Sequence, residues 1–391
     1  MRARWILAAL SALTLMSGGV AVLSASSARA GGPALVFDAA DGKVLYAEDP
    51  DDHWHPASLT KIMTAYVTFE ALKSGKLKLD QRIPYSEAAQ LQPPSKLGLH
   101  VGANLTVDQA LKALIIKSAN DVAVMLAEAI SGSQAAFVSR MNETARGLGM
   151  TRTIFVNPNG LPAPEQVTTA RDLAKLARAV IRDYPEHLAY WSMFDARIGK
   201  IRIGTHNGLL RSFEGADGMK TGFICDSGFN VVASATRDGR HLMAVVLGES
   251  TSALRTVRAA NLLEHGFQSY EWKQLFNHSA SLDTLPLADS AKGVMSVRND
   301  VRSFECGTGH RKTPRKNKIV KKKRSDGAEQ QTLDKAPSGT TKVAADPDNA
   351  PAGAKAKAEV SPGDRPRKPV HASSEAQAPA AKPLKANSAL P

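Results

Sequence analysis

The chain reads as an α+β fold, and three observations carry that expectation. Strand-like runs lie near the start and again beyond residue 196, helix-like periodicity fills the stretch between them, and both ends have compositions unlike the middle. Segregated rather than alternating element types argue for an antiparallel sheet built from N- and C-terminal strands, with a helical region packed against it.

The first element is a leader. Residues 1–30 carry Arg2 and Arg4, an apolar run from Trp5 to Leu23, and Ala28-Arg29-Ala30. A basic start, an apolar stretch and an A-x-A site describe a signal peptide cleaved after Ala30. Gly18, Gly19 and that site favour this over an uncleaved membrane anchor, and no cysteine follows the apolar run to carry a lipid. The expected destination is outside the cytoplasm, in the periplasm or on the cell-wall side of the membrane.

Ala34 to Phe37 and Lys43 to Tyr46 flank Asp41-Gly42, the turn chemistry of a β-hairpin. Pro56 then stops extended structure and leads into a helical run, Ile62 to Leu72. Residues 76–105, with Pro84, Pro93, Pro94 and Gly98, read as loops with short elements. Thr106 and Gln109 are spaced as a capping box, before the apolar stripe Ala110, Leu111, Leu114 and Ile115. A second helix runs through Val122, Met125, Leu126 and Ile130 to Gly132, and a third from Ala135 to Leu148. Asn157-Pro158-Asn159-Gly160 is a turn, and Thr169 opens a helix striped with Leu173, Leu176, Val180 and Ile181. Ile198 to Ile203 alternates as a strand does. Phe229 to Thr236 and His241 to Leu247 flank Asp238-Gly239 as a further hairpin, and Leu254 to Phe267 is a closing amphipathic helix.

Of the net charge of +13, +10 lies in residues 311–391, which hold 18 Lys and Arg against 8 Asp and Glu, and Arg2, Arg4 and Arg29 supply +3. Residues 31–310 are therefore near neutral, and nucleic acid is not an expected partner. Beyond Phe304 the chain has no Phe, Trp or Tyr. It cannot bury enough apolar surface to offset its ordering entropy, so residues 311–391 read as a disordered basic tail, with 276–310 as a linker. Such a tail suits an anionic membrane surface or an acidic wall polymer, or serves as a flexible spacer without a specific partner. The two cysteines, Cys225 and Cys306, could pair in an oxidising compartment, but Cys225 lies in an apolar strand-like context, and a buried free thiol there is the favoured expectation. No H-E-x-x-H or paired C-x-x-C indicates a metal, and no cofactor is implied.

The chemistry centres on Ser58 and Lys61, spaced i, i+3 at a helix start. That spacing lets a lysine Nζ meet a serine Oγ, and the helix N-terminus favours a developing alkoxide. Serine and lysine are common, so the pair carries little alone. Ser118-Ala119-Asn120 at a helix junction and Lys220-Thr221-Gly222 before an apolar strand complete an ordered set of S-x-x-K, S-x-N and K-T-G.

With these motifs the chain resembles the D-alanyl-D-alanine carboxypeptidases, the low-molecular-mass penicillin-binding proteins. The likeness extends over about residues 33–272, through Pro56-Ala57-Ser58-Leu59-Thr60-Lys61, Asn157 to Leu161, Thr169 to Leu173, and His206 to Gly222. It implies a β-lactamase/transpeptidase-like fold, with residues 31–275 as the catalytic domain. It implies Ser58 as nucleophile toward the D-Ala-D-Ala end of a peptidoglycan stem peptide, Lys61 as base and Ser118 as proton relay. Asn120, Lys220, Thr221 and Gly222 would bind substrate, with the backbone N–H of Phe223 in the oxyanion hole and β-lactams as inhibitors. Arg255 is a weaker candidate beside the carboxylate site, with a solvated arginine as its alternative. Many family members have histidine where this chain has Phe223. A β-lactamase is a neighbouring reading, but Glu165 reads as a loop charge and not a deacylating base. A wall-binding protein that works through its tail is a non-enzymatic reading, disfavoured by three intact motifs.

Overall fold

Hairpin turns and helix caps set the frame. The computed structural model describes residues 31–275, 280–288, 291–301 and 306–307. Strands β1 (Ala34–Asp38) and β2 (Val44–Glu48) pair around Asp41-Gly42 as expected. A helical region follows: α1 (Thr60–Lys73), the small strand β3 (Arg82–Pro84), α2 (Glu87–Gln90) and β4 (Asn104–Thr106), which pairs with β3. Then come α3 (Val107–Ile115), α4 (Asn120–Ser131), α5 (Gln134–Gly147), α6 (Ala170–Asp183) and α7 (Ala189–Ser192). Thr106 and Gln109 form the capping box of α3, and the Thr169 hydroxyl caps α6 by accepting from the Asp172 N–H.

The expected strand over Ile198 to Ile203 is instead two: β5 (Asp195–Ile198) and β6 (Ile201–Gly204) reverse at Gly199-Lys200 into a separate hairpin. Beyond α8 (Leu209–Ser212) lie β7 (Ala216–Ile224), β8 (Gly228–Arg237), β9 (Arg240–Glu249) and α9 (Ser252–Leu275). The main sheet has the order β2-β1-β9-β8-β7, every neighbour antiparallel. The N-terminal hairpin thus joins the C-terminal strands in one sheet.

Period-2 alternation lets this sheet serve two layers. Leu35, Phe37, Met243 and Val245 belong to the large core shared with the helical region, while Val36, Leu242, Ala244 and Val246 pack with Ala259 and Leu263 of α9. Each of the Leu, Val, Phe and Met side chains among these, fully buried, contributes roughly 1.5–3 kcal/mol. Helix α1 is buried along every residue from Thr60 to Phe69, the environment of a core helix and not of a surface one. That burial carries Lys61 into the interior.

Two expectations are corrected here. Residues 280–288 and 291–301, read as linker, lie along the body as a strap. Val44 N–H donates to Ala280 O and Leu282 N–H to Gly42 O. Arg171 donates to the carbonyls of Leu282, Leu285 and Pro286 while pairing with both carboxylate oxygens of Asp51. Leu282 and Val301 are the buried anchors of this segment. Its attachment uses backbone carbonyls and isolated apolar residues, which leave no periodic signal. Second, Cys225 is no free thiol: just beyond β7 and half-buried, it forms a disulfide with Cys306, which the strap returns to within 5.5 Å Cα–Cα. The leader and the basic tail lie outside the described residues.

Candidate active site

The nucleophile turn is tightly enclosed. Ala57–Leu59 is a 3-10 turn that runs directly into α1, so Ser58 sits just ahead of the α-helix and Lys61 in its first turn. Ala57 adopts φ +47°, a left-handed conformation that persists only where its surroundings enforce it. Two glycines supply the enforcement. A Cβ on Gly160 would stand 1.9 Å from Ala57 O, and one on Gly222 would stand 3.1 Å from Pro56 O, Ser58 N and Leu59 N. At Gly222 the Pro56–Leu59 backbone comes close, with β7 pressed against the turn that carries Ser58.

Lys61 Nζ lies 3.0 Å from Ser58 Oγ, 2.8 Å from Asn120 Oδ1 and 2.5 Å from Asn159 O. The two oxygens of Asn120 and Asn159 can only accept. A neutral lysine has two N–H donors and one lone pair, so these acceptors take the donors and leave the lone pair facing the Ser58 hydroxyl. The side chain is fully buried. Burial first, and then the Lys220 cation, push its pKa well below the usual lysine range, while Asp121 pulls the other way. The site therefore holds a lysine biased toward the form that takes a proton from serine.

The second lysine comes from the sheet. Lys220 on β7 donates to Ser118 Oγ at 3.0 Å and to Thr221 O at 2.8 Å. Ser118 sits between α3 and α4 at φ +60°. Asn120, the first residue of α4, accepts from Lys61 and donates through Nδ2 to Pro93 O at 3.0 Å. Both ends of its amide are thus engaged within the chain. Phe223 follows Gly222 on β7 and stacks on Phe229 across the strand pair, ring centroids 4.2 Å apart. Ser58, Lys61 and Asn120 are thereby joined in one hydrogen-bonded group, and Ser118, Lys220 and Thr221 in a second.

Arg255 is not a solvated arginine. It is 3 % exposed within α9 and donates to His206 O at 3.2 Å. Glu165 is exposed on its loop. Several contributors escaped the sequence reading. The Asn159 carbonyl fixes Lys61, and the Asn159 side chain donates to Gln92 Oε1. Ser95 O receives the Asn120 N–H, so the 92–95 loop walls the site. Buried Asp121 accepts from Tyr85 OH and from the N–H groups of Leu97 and Gly98. Only the N-P-N-G turn carried a signal in advance. Among the described residues, no group of three or more His, Cys, Asp or Glu is placed to hold a metal ion.

Known proteins align with this arrangement. The chain is 41% identical over 244 residues to D-alanyl-D-alanine carboxypeptidase DacC of Escherichia coli (strain K12), covering 61% of each chain. It is similar to the crystal structure of penicillin binding protein 5 from Haemophilus influenzae, with TM-score 0.59 and 37% identity over 61% of this chain and 71% of that one. It is also similar to penicillin-binding protein D2 from Listeria monocytogenes in the cefotaxime-bound form, with TM-score 0.56 and 31% identity over 61% of this chain and 97% of that one. The match to DacC spans about three fifths of that relative's length. The D-alanyl-D-alanine carboxypeptidase family profile matches residues 21–251, more than half of the chain and every site residue described above except Arg255. With this sheet, these two lysines and that match, the chain belongs to the D-alanyl-D-alanine carboxypeptidase family.

Proposed function

We propose that the protein is a serine-type D-Ala-D-Ala carboxypeptidase that trims the terminal D-alanine from peptidoglycan stem peptides. One observation carries the reading: the fully buried Lys61 Nζ lies 3.0 Å from Ser58 Oγ, with Asn120 Oδ1 and Asn159 O taking its other contacts. Ser58 Oγ attacks the carbonyl carbon of the penultimate D-Ala while its proton passes to Lys61 Nζ. The backbone N–H groups of Ser58 and Phe223 receive the oxyanion. As the C–N bond breaks, Ser118 hands its proton to the departing amine and is reprotonated from the lysine pair. Lys220 and Thr221 hold the terminal carboxylate, and the Lys220–Ser118 hydrogen bond keeps relay and clamp together. Water, deprotonated by Lys61, then hydrolyses the acyl-enzyme. Arg255, held against the His206 carbonyl, supports the clamp side from α9.

Penicillins present a carboxylate and a strained amide in place of D-Ala-D-Ala, and would acylate Ser58; the relative solved with cefotaxime supports this. The leader in residues 1–30 and the basic tail in 311–391 fit export to the peptidoglycan side of the membrane, with the tail against anionic lipid or wall polymer. The decisive assay is D-alanine release from a pentapeptide, with and without penicillin. Release that penicillin blocks is expected. Rapid turnover of penicillin itself, with no D-alanine release, would replace this reading with a β-lactamase.

A further inference from the structure

The proposed site is made by two segments far apart in sequence: the turn that carries Ser58 and the strand that carries Lys220. They meet directly at Gly222. Outside that contact, Asn230 Nδ2 approaches His55 O at 3.5 Å and Trp54 Nε1 donates to Ser227 O at 3.0 Å. Trp54 and His55 lie just ahead of the nucleophile turn, and Ser227 lies just beyond β7.

A third segment grips both partners from outside. Lys292 O accepts from His53 N–H, and Lys292 N–H donates to Asp52 Oδ1. A few residues on, Val297 N–H donates to Asp226 O, Ser296 Oγ donates to the Asp226 carboxylate, and Arg298 pairs with both of its oxygens. Val297 Cγ2 also fills the space beside Gly228. The strap therefore spans from residues 52–53 to the turn at 226–228. The Cys225–Cys306 disulfide then ties its far end to the residue after β7. Neither cysteine is fully buried, so a small dithiol can reach the bond.

From this geometry, and on the carboxypeptidase reading above, we infer that residues 292–301, tied down through the Cys225–Cys306 disulfide, are a redox-locked positioning strap: it seats the Lys220-Thr221 strand against the Ser58 turn, and reduction of that disulfide loosens the seat. In the reduction the Sγ–Sγ bond breaks, a dithiol gives up two electrons and two protons and closes into its own disulfide, and the cysteines become thiols. Lys61 and Asn120 stay in the helical region. The loss therefore falls on what β7 supplies, the Lys220-Thr221 clamp together with the Phe223 N–H, so a ligand with a free carboxylate loses more than one without it.

The test uses the purified full-length protein, oxidised or reduced with dithiothreitol and counted for free thiols. Acylation of Ser58 is timed with a fluorescent penicillin and with its methyl ester, which lacks the free carboxylate. Reduction is expected to slow the free acid about tenfold, the scale of a modest misplacement, and to slow the ester, which loses only the oxyanion contact, less. Reoxidation should restore the rate. Arg298→Ala, which leaves the disulfide in place, is expected to give a smaller loss of the same kind, with Arg298→Lys recovering part of it. Equal slowing of acid and ester, or no slowing after full reduction, overturns the strap. Amide exchange by mass spectrometry gives a readout independent of chemistry: reduction should speed exchange at residues 52–59 and 222–230 and leave α3 to α6 unchanged. If the oxidised protein is not acylated at all, the carboxypeptidase reading falls, and exchange alone then judges the strap, with unchanged exchange refuting it.

Discussion

Lys61 and Lys220 are each at most 2 % exposed, yet their surroundings ask opposite things of them. Lys61 enters from a helix and meets two acceptor-only oxygens plus the Ser58 hydroxyl. Lys220 enters from a strand at the sheet edge and meets the Ser118 hydroxyl and the Thr221 carbonyl. The first environment fits an amine that takes a proton from Ser58, and the second sets the Lys220 charge beside the Ser118 hydroxyl. Each needs the other, because Lys220's charge is one reason Lys61 is biased toward neutrality. Identity of residue type is therefore no guide to role; the partner atoms are.

The largest expected effect removes what the lone pair faces. Ser58→Ala should abolish covalent labelling by a fluorescent penicillin, a loss on the order of 10⁴–10⁶ in rate. Labelling that survives would put the nucleophile elsewhere. The comparison itself is probed by arginine at each lysine. Lys61→Arg keeps a cation but has no accessible lone pair, so acylation should fall on the order of 10²–10⁴. Lys220→Arg keeps the charge that matters there and should lose about tenfold, the scale of one impaired hydrogen bond to a charged group. Equal losses would erase the distinction between the two sites.

A subtler break is in pH dependence. Acylation should rise with pH as Lys61 sheds its proton, with a midpoint below the ordinary lysine value of about 10.4, because burial and then Lys220 lower its pKa. Lys220→Gln removes a like charge, makes protonated Lys61 less unfavourable, and so moves that midpoint upward. A midpoint that stays put in stopped-flow acylation profiles would mean the two lysines are not electrostatically coupled.

The smallest effects concern the contact that brings the lysines together. Gly160→Ala would force a Cβ to 1.9 Å from Ala57 O at φ +83° and should lower stability by roughly 1–3 kcal/mol or more. Gly222→Ala meets backbone at 3.1 Å, where a shift of tenths of an ångström suffices, and should cost less. Thermal melts followed by circular dichroism would rank them, and the reverse order would contradict the closer packing at Gly160.

Much of this was legible in advance, for identifiable reasons. Asp41-Gly42 and Asp238-Gly239 announce hairpins, and Thr106 with Gln109 announces a helix start, because side-chain chemistry is local there. The motif residues stood out by spacing. Asn159 did not, since its contribution to Lys61 is a backbone carbonyl that any residue supplies. Asp121 did not, since its partners Tyr85, Leu97 and Gly98 come from another part of the chain. The strap was invisible for the same reason as Asn159: Arg171 holds three carbonyls of it, and carbonyls leave no mark in a sequence. Cysteine spacing likewise says nothing of the Cα separation that permits a bond.

The disulfide closes a covalent ring, with its cysteines 81 positions apart, around β8, β9 and α9. A protease that cuts once inside that ring parts the chain without releasing a fragment. Such a nicked molecule would run as a single species on a non-reducing gel and as two pieces once thiol is added. After a first cleavage in that ring, the strand that bears Lys220 and helix α9 would thus stay in one covalent unit.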